Sequence, residues 1–534
     1  MSCEILCPYC FKTMQDTEVL FRSEKVTRGE PDFLPDIYDS IEEFILRYQG
    51  HDKEELLRRC REWEYFKAGP DPVYEQFWER FNGTTEFDPA DEHLGVEAYR
   101  RKVLDPSDSK CQRYLKPQRF DGGTPDFFIR DSQDMVVQIE LSTGERCNRR
   151  VCRYCHNPLP ANYGRSRPIF ITVIGIVGAG KTVYLSQLLR GMNGYARKAG
   201  LSAIVTGPSV VNFRRANAVA AGQPLPVPTP EQRLQQPLFY ELIRDRGNNR
   251  TSTETLVMYD VAGEVFTSEQ LVSRYAPFVE HADGVMLLID PMQFEVVSGV
   301  MPDGRERDNP AEILSVIHHI VSDRSTGAKC EKPFAICVSK ADEIMPLFSE
   351  ELQELLRRDV EAVKGPDGLG VPLFNAKAYN PLLKEMEAFI QTHAMDLAHQ
   401  MRTNYARYAW FAFSALGCRV DEGIRENGEH YRFPVGPVIP KRIEEPLLWL
   451  FREFGFTGTN EPIGPVLCPL CGGPSTEVPE EEQTEVIRKG LFGLGQKTRT
   501  VNRQCRNPEC GYRWFDRETA LAGKVPDFDR QIRL

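Results

Sequence analysis

Long apolar runs are missing from this sequence. The two longest, Ile169–Val177 and Val285–Ile289, fall far short of the ~20 residues that a bilayer-spanning helix needs. The opening Met-Ser-Cys-Glu lacks the basic start and apolar core of a secretory signal, so a cytoplasmic protein is expected. Positive charge is also short: 66 Lys and Arg stand against 77 Asp and Glu, for a net charge of −11. That balance excludes a global attraction to nucleic acid or anionic membrane, although Arg499, Arg503 and Arg506 gather near the C-terminus. Neither Gly-x-Ser-x-Gly nor His-Glu-x-x-His occurs, and no repeat of solenoid period is visible. Cysteine, by contrast, is plentiful at 15 residues, and in a reducing compartment this favours metal ligation or free thiols over disulfides.

At 534 residues the chain has room for roughly three or four domains of ~150 residues each. Periodicity and cysteine spacing divide it into an N-terminal module over 1–166, a central domain over 167–457 and a C-terminal module over 464–534. In the first, Ile41–Phe66 carries apolar residues at helical spacing and Met135–Leu141 alternates like a strand. In the second, apolar β-branched runs alternate with amphipathic stretches. Strands are predicted at Ile169–Ile174, Leu238–Arg244, Thr255–Tyr259, Gly284–Asp290, Phe334–Val338 and Ala409–Phe413. Helices are predicted at Thr182–Ala199, Ser268–Glu280, Ala311–Ser322, Pro381–Tyr405 and Ile443–Phe454. This order implies an α/β fold on a mainly parallel sheet, with Leu238–Arg244 and Thr255–Tyr259 as an antiparallel hairpin at its edge.

Gly175-Ile-Val-Gly-Ala-Gly-Lys-Thr182 fits G-x-x-x-x-G-K-[ST] at every fixed position, between an apolar strand and a helical stretch. Gly175, Gly178, Ala179, Gly180 and Val183 belong to a backbone curl whose N–H groups face phosphate oxygens, backed by the positive end of a helix dipole. Lys181 is placed to reach the β- and γ-phosphates, and the Thr182 hydroxyl to coordinate Mg²⁺. Farther on, a strand delivers Asp260 in Asp-Val-Ala-Gly-Glu264. Asp260 is a second candidate for Mg²⁺, and the N–H of Gly263 can approach a γ-phosphate closely because no Cβ intervenes.

Phosphates do not distinguish bases. Strand Phe334–Val338 runs into Ser339-Lys-Ala-Asp342, where the Asp342 carboxylate can accept both N–H groups of the guanine edge. Adenine offers no matching pair of donors, so ATP would leave Asp342 unsatisfied. The Lys340 stem can cover the base plane. Ser414-Ala415-Leu416, after the last strand, offers a backbone N–H to the guanine carbonyl.

Together these motifs resemble those of the translation-factor-related GTPases, the class that includes the Ras-like proteins. The resemblance spans about Pro168–Gly455. The Gly436–Phe451 block further resembles the bacterial double-GTPase families associated with conflict systems. The resemblance implies GTP/GDP as ligand, Mg²⁺ as cofactor, and a switch threonine between Thr182 and Asp260. Thr229, in a proline-rich stretch, is the candidate for that role. Two departures stand out. Ser339 replaces the usual Asn or Thr, which weakens one loop brace. Glu264 stands where many members carry a water-orienting Gln, and its charge opposes the phosphates, so slow intrinsic hydrolysis is expected unless a partner supplies a group. Arg214, Arg215 and Arg274 are candidates for an arginine finger, and the insertion before Thr229, with a predicted helix at Val210–Ala221, is expected to cover the nucleotide or a partner.

The cysteine pairs resemble zinc-ribbon halves. Cys7/Cys10 and Cys152/Cys155 supply four thiolates for Zn²⁺, with Cys147 and His156 as alternative ligands. Cys468/Cys471 and Cys505/Cys510 form a second set. Four cysteines leave no open coordination position, so either site is expected to be structural. Cys60, Cys111, Cys330, Cys337 and Cys418 read as buried free thiols. The expected function is a Mg²⁺-dependent GTP-hydrolysing switch in which Lys181, Thr229 and Glu264 serve the reaction and the zinc modules dock a protein partner, such as another GTPase or an activating protein. The alternative is a nucleotide-stabilised scaffold whose ribbons bind protein or nucleic acid.

Overall fold

The computed structural model describes residues 4–25, 53–82, 100–120, 122–176, 178–226, 234, 236–247, 249–262, 265–266, 269–300, 309–322, 328–364, 372–425, 428, 430–464, 475–477, 486–489, 495–498, 502–505 and 513–515. Packing divides the chain into two units. One comprises Met1–Pro168, Thr206–Phe213 and Gln232–Phe239; the other comprises Ile169–Val205, Arg214–Glu231 and Tyr240–Leu534.

The first unit is built from short pieces. Strands β1 (Glu4–Leu6) and β2 (Thr13–Gln15) pair antiparallel. Strand β3 (Leu20–Arg22) is followed by helices α1 (Lys53–Phe66) and α2 (Pro72–Asn82). Strand β3 lies between β4 (Val103–Leu104) and β8 (Arg150–Val151), and a second small sheet joins β5 (Phe128–Arg130), β6 (Val136–Glu140) and β7 (Arg146–Cys147). The predicted alternation at Met135–Leu141 is β6, and α1 accounts for the second half of the Ile41–Phe66 pattern. Helix α2 was not foreseen. Its aromatic residues Tyr74 and Trp78, one turn apart, are both buried, and Trp78 Nε1 donates to Asn157 Oδ1 at 3.0 Å. Tyr9 lies edge-on to Trp78 with ring centroids 6.3 Å apart, and Phe239 sits against both Tyr9 and Tyr163. This aromatic cluster gives a unit of small sheets the apolar area that its short strands cannot supply alone.

In the second unit, β9 (Ile169–Gly175) is buried along its whole length and leads through the glycine-rich turn into α3 (Lys181–Arg197). Strand β10 (Leu201–Val205) follows, then α4 (Ser209–Ala216) and β11 (Leu238–Gly247), both of which begin in the first unit's residues, and then β12 (Arg250–Ala262) and α5 (Glu269–Tyr275). Next come β13 (Gly284–Ile289), α6 (Pro310–Val321), β14 (Phe334–Val338) and α7 (Glu350–Arg357). Helices α8 (Ala376–His393) and α9 (Met395–Asn404), strand β15 (Tyr408–Ala412), a hairpin of β16 (Val420–Ile424) and β17 (His430–Pro434), and α10 (Glu445–Glu453) complete the domain.

One seven-stranded sheet runs in the order β10-β11-β12-β9-β13-β14-β15. Strands β12, β9, β13, β14 and β15 are parallel, and β10 pairs antiparallel with β11. The near-continuous apolar runs of β9, β13 and β14 are what helices on both faces of a parallel sheet demand. Three expectations are corrected. The edge is not the β11–β12 pair but β10, a five-residue strand too short and too mixed in character to stand out in the sequence. The long predicted helix Pro381–Tyr405 is two helices that meet at Ala394, whose φ of −150° is not helical; the first begins earlier because Asn375 caps it, leaving Pro381 inside the helix. Predicted helix Ser268–Glu280 stops as α5 at Tyr275, ahead of a single 3₁₀ turn that starts with Pro277.

Among the described residues, no helix is long and apolar enough to cross a membrane. Beyond Gly464, short antiparallel pairs form at Val486–Lys489 with Gly495–Thr498, and at Asn502–Cys505 with both Ser475–Glu477 and Arg513–Phe515.

Candidate functional site

The glycine-rich turn takes the shape its sequence implies. Gly178 and Gly180 adopt φ values of +80° and +69°, and Gly180 caps α3. At Gly178 a Cβ would stand 3.2 Å from Asp290 Oδ2, so both the backbone angle and the space call for glycine. Lys181 is 7% exposed; its ammonium donates to the Val261 carbonyl and lies 3.1 Å from Asp260 Oδ1. Strand register explains the meeting, because β12 runs parallel to β9 with Asp260 opposite Val173 and Ala262 opposite Gly175.

The second loop follows β14. Ser339 is buried and binds the Ile289 carbonyl twice, through its N–H at 2.9 Å and its hydroxyl at 3.1 Å. Lys340 sits at φ +50°, a left-handed geometry uncommon outside glycine, and its ammonium reaches Asp290 Oδ2 at 2.6 Å. Asp342, next but one, is exposed toward the cleft. The third loop continues the ladder: Phe413 N–H donates to Val338 O and Ala341 N–H to Phe413 O. Ser414 Oγ accepts from Gly417 N–H at 2.9 Å, and the Ser414 and Lys441 backbones bond reciprocally. Gly417, at φ +60°, packs so tightly that a Cβ would lie 1.9 Å from Ile439 O. Tyr184 of α3 stacks on Phe413 with centroids 4.5 Å apart, joining the helix after the first loop to the strand before the third.

These three loops open on one cavity of about 1070 Å³. Its walls include Gly175, Gly178, Ala179, Gly180, Lys181, Thr182, Val183, Ser339, Lys340, Asp342, Ser414, Ala415 and Leu416, so Lys181 and Asp342 face the same space. Asp260 stands behind it, against Lys181. Thr229, Gly263 and Glu264 lie outside the described residues. Leu225 and Pro226, from the insertion, also line the cavity, whereas Arg214, Arg215 and Arg274 are not among its walls and are exposed.

Two features escaped sequence reasoning. Asp290 is completely buried, caps the following turn through Met292 N–H and holds Lys340. An acidic residue at the C-terminal end of a parallel strand, on the edge from which the other loops emerge, was its available signal. The β16–β17 hairpin also contributes to the cavity walls, through Arg425, His430, Tyr431 and Arg432, and no motif announced it.

In the first unit, Cys7, Cys10, Cys152 and Cys155 bring their four Sγ atoms within 4.8 Å of one another. Cys7 and Cys155 are 3.7 Å apart, and Cys10 and Cys152 are 3.8 Å apart. A tetrahedron with Zn–S of about 2.3 Å requires S···S separations of about 3.8 Å. The two loops are near copies. Tyr9 N–H points at Cys7 Sγ and Tyr154 N–H at Cys152 Sγ, each at 3.4 Å, and the residues after the second cysteines, Phe11 and His156, both take positive φ. Burial pushes the Cys7 and Cys155 thiols up from their ordinary value, so holding all four as thiolates calls for a cation. The alternative ligands are otherwise engaged: His156 Nδ1 binds Asp71 at 2.8 Å, and Cys147 Sγ donates to Arg22 O at 2.9 Å. Cys468, Cys471 and Cys510 lie outside the described residues, as does the side chain of Cys505.

A P-loop leaving the central strand of a mainly parallel sheet, with an Asp-ended loop after the second strand along from it, defines a nucleotide-binding domain of the P-loop GTPase kind. Comparison with known families agrees: residues 169–365 match the Double-GTPase 2 family model. A curated relative, the putative ESX-1 scaffolding and assembly protein SaeC of Mycolicibacterium smegmatis, is 27% identical over 335 residues, covering 57% of this chain and 80% of the relative. Among solved structures, the GDP- and phosphate-bound GTPase-like domain of S. cerevisiae Ski7 is 14% identical, with 63% of this chain and 57% of that chain covered at a TM-score of 0.26. The signal recognition particle receptor SRb-GTP/SRX complex of Chaetomium thermophilum is 12% identical, with 48% and 94% covered at a TM-score of 0.23.

Proposed function

We propose that the protein binds GTP and GDP and hydrolyses GTP with Mg²⁺ as a conformational switch, slowly unless a partner assists. The observation that carries this reading is the convergence of Lys181 and Asp342 on one cavity. Lys181 is the cation for the β- and γ-phosphates, and Gly175–Val183 supplies the surrounding N–H donors. Asp342 accepts from the guanine edge, the Lys340 stem covers the base, and Ser414–Leu416 closes on the carbonyl side. Thr182 and Asp260 fit Mg²⁺ by chemistry, as a hydroxyl in the first turn of α3 and a buried carboxylate near the end of β12, and the ion's charge would offset that of the phosphates. Lys181 would then exchange part of its contact with Asp260 and Val261 for phosphate oxygens. Gly263 is the N–H donor to the γ-phosphate, Thr229 the switch threonine and Glu264 the group beside the attacking water.

Zn²⁺ fits the Cys7/Cys10/Cys152/Cys155 cluster in a structural role, and the Cys468/Cys471/Cys505/Cys510 set is its C-terminal counterpart. With full-length protein, GTP should bind and release phosphate while ATP at equal concentration does not, and Lys181→Ala should abolish both. Equal turnover of ATP and GTP would defeat the guanine reading.

The likeness to a relative described as a scaffolding and assembly protein favours a second reading, in which nucleotide is held for structure and the zinc modules dock protein partners. Partner binding that survives Lys181→Ala with no measurable turnover in the wild type would select it.

A further inference from the structure

The cavity holds more positive charge than the three loops bring. Arg357, Arg419, Arg432, Lys441 and Arg442 also contribute to its walls, and all but one are engaged. Arg357 binds Gln353, and Arg419 pairs with Asp421 at 2.7 Å. Lys441 pairs with Asp359 at 2.8 Å, and Arg442 with Glu445 and the carbonyls of Leu355 and Arg358. Arg432 differs: its Nε is buried and has no hydrogen-bond partner, and although Glu422 stands opposite it across the hairpin, the two form no ion pair. A guanidinium is always charged, and one that lines a cleft without an ion-pair partner can offer its terminal N–H groups to an anion bound there.

Backbone bonds hold Arg432 at that place. Its carbonyl accepts from Leu225 N–H and the Pro434 carbonyl from Gly222 N–H, each at 2.8 Å, so β17 is bonded edge to edge with the insertion that also lines the cavity.

We propose that Arg432 is a phosphate-contacting residue of the nucleotide site, an arginine that the chain supplies to its own cleft from the β16–β17 hairpin. The inference rests on the guanine-nucleotide reading above. It takes the place of the exposed Arg214, Arg215 and Arg274, and ties the hairpin to the ligand through a planar fork suited to phosphate oxygens.

The test uses full-length Arg432→Gln, which keeps the stem and removes the charge, and Arg432→Lys. Affinities for GTP, GDP, ATP and inorganic tripolyphosphate are measured by calorimetry beside the wild type. Loss of a charge-assisted hydrogen bond predicts GTP and tripolyphosphate binding weakened about ten- to a hundredfold, with partial recovery in the Lys variant and an unchanged preference for GTP over ATP. Unchanged GTP and tripolyphosphate affinity in Arg432→Gln overturns the proposal. So does a variant that keeps tripolyphosphate affinity but loses the preference for GTP. A wild type that binds no guanine nucleotide defeats the underlying reading instead, which the wild-type titration reports by itself.

Discussion

At Gly417 an added methyl group would collide with the Ile439 carbonyl, 1.9 Å away, in a backbone region that L side chains avoid. Gly417→Ala should therefore cost more than about 2 kcal/mol, since left-handed strain and a displaced backbone add. The loss should be visible as a lower urea midpoint, with weaker GTP binding because Ser414 and Leu416 are displaced with it. Glu264→Gln addresses the chemistry. A carboxylamide accepts from water and donates to a γ-phosphate oxygen, which Glu264 as a carboxylate cannot do, so turnover of GTP should rise in the Gln variant. A sharply slower variant would show instead that the carboxylate assists. Residues at this scale differ in how far the sequence revealed them. Lys181 and Asp342 sit in motifs whose spacing is set by the ligand. Asp290 sits in none, because what fixes its role is the return of the chain, fifty positions later, to lay Lys340 against it.

Elements were legible where burial imposes a long pattern. The apolar runs of β9, β13 and β14 announced themselves, and the Gly175–Thr182 turn located the start of α3 to within a residue. Strand β10 and the β16–β17 hairpin were not legible. Their residues are half exposed; β10 pairs with a strand well downstream, and β17 also bonds to a proline-rich stretch that reads as a connector. The two cysteine turns were legible as a pair of knuckles, although more than a hundred residues separate them. Small sheets fold that separation away, and the turns arrive with matching N–H···S contacts. Purified protein should accordingly contain zinc, and Cys155→Ser should lose one equivalent by elemental analysis. A strong chelator should lower the melting temperature of the wild type, and a melt indifferent to chelation together with unchanged zinc in Cys155→Ser would argue against the site.

At the scale of the molecule, the family match ends at residue 365, whereas Ser414–Leu416, the β16–β17 hairpin and α10 lie beyond it. The wall of the cavity nearest the end of the domain thus lies outside the residues that the family model matches. If both ends of the cleft grip one ligand, a hundredfold excess of GTP over its dissociation constant should stabilise the folded protein by about 2.7 kcal/mol. For a domain of this size that amounts to a melting shift of roughly 4–5 °C. ATP at the same concentration should leave the melt in place, and an equal shift with ATP would remove Asp342 as the selector.

The four-thiol cluster has a consequence in time. Cys7 and Cys10 are made well before their partners, Cys152 and Cys155, which follow only after more than a hundred further residues. At ribosomal speeds of roughly 5–20 residues per second, the early pair waits on the order of ten to thirty seconds as bare sulfhydryls. Oxidation or a stray ion during that interval would trap the nascent chain, so newly made protein should be most vulnerable to peroxide before the second pair emerges, and much less so afterwards.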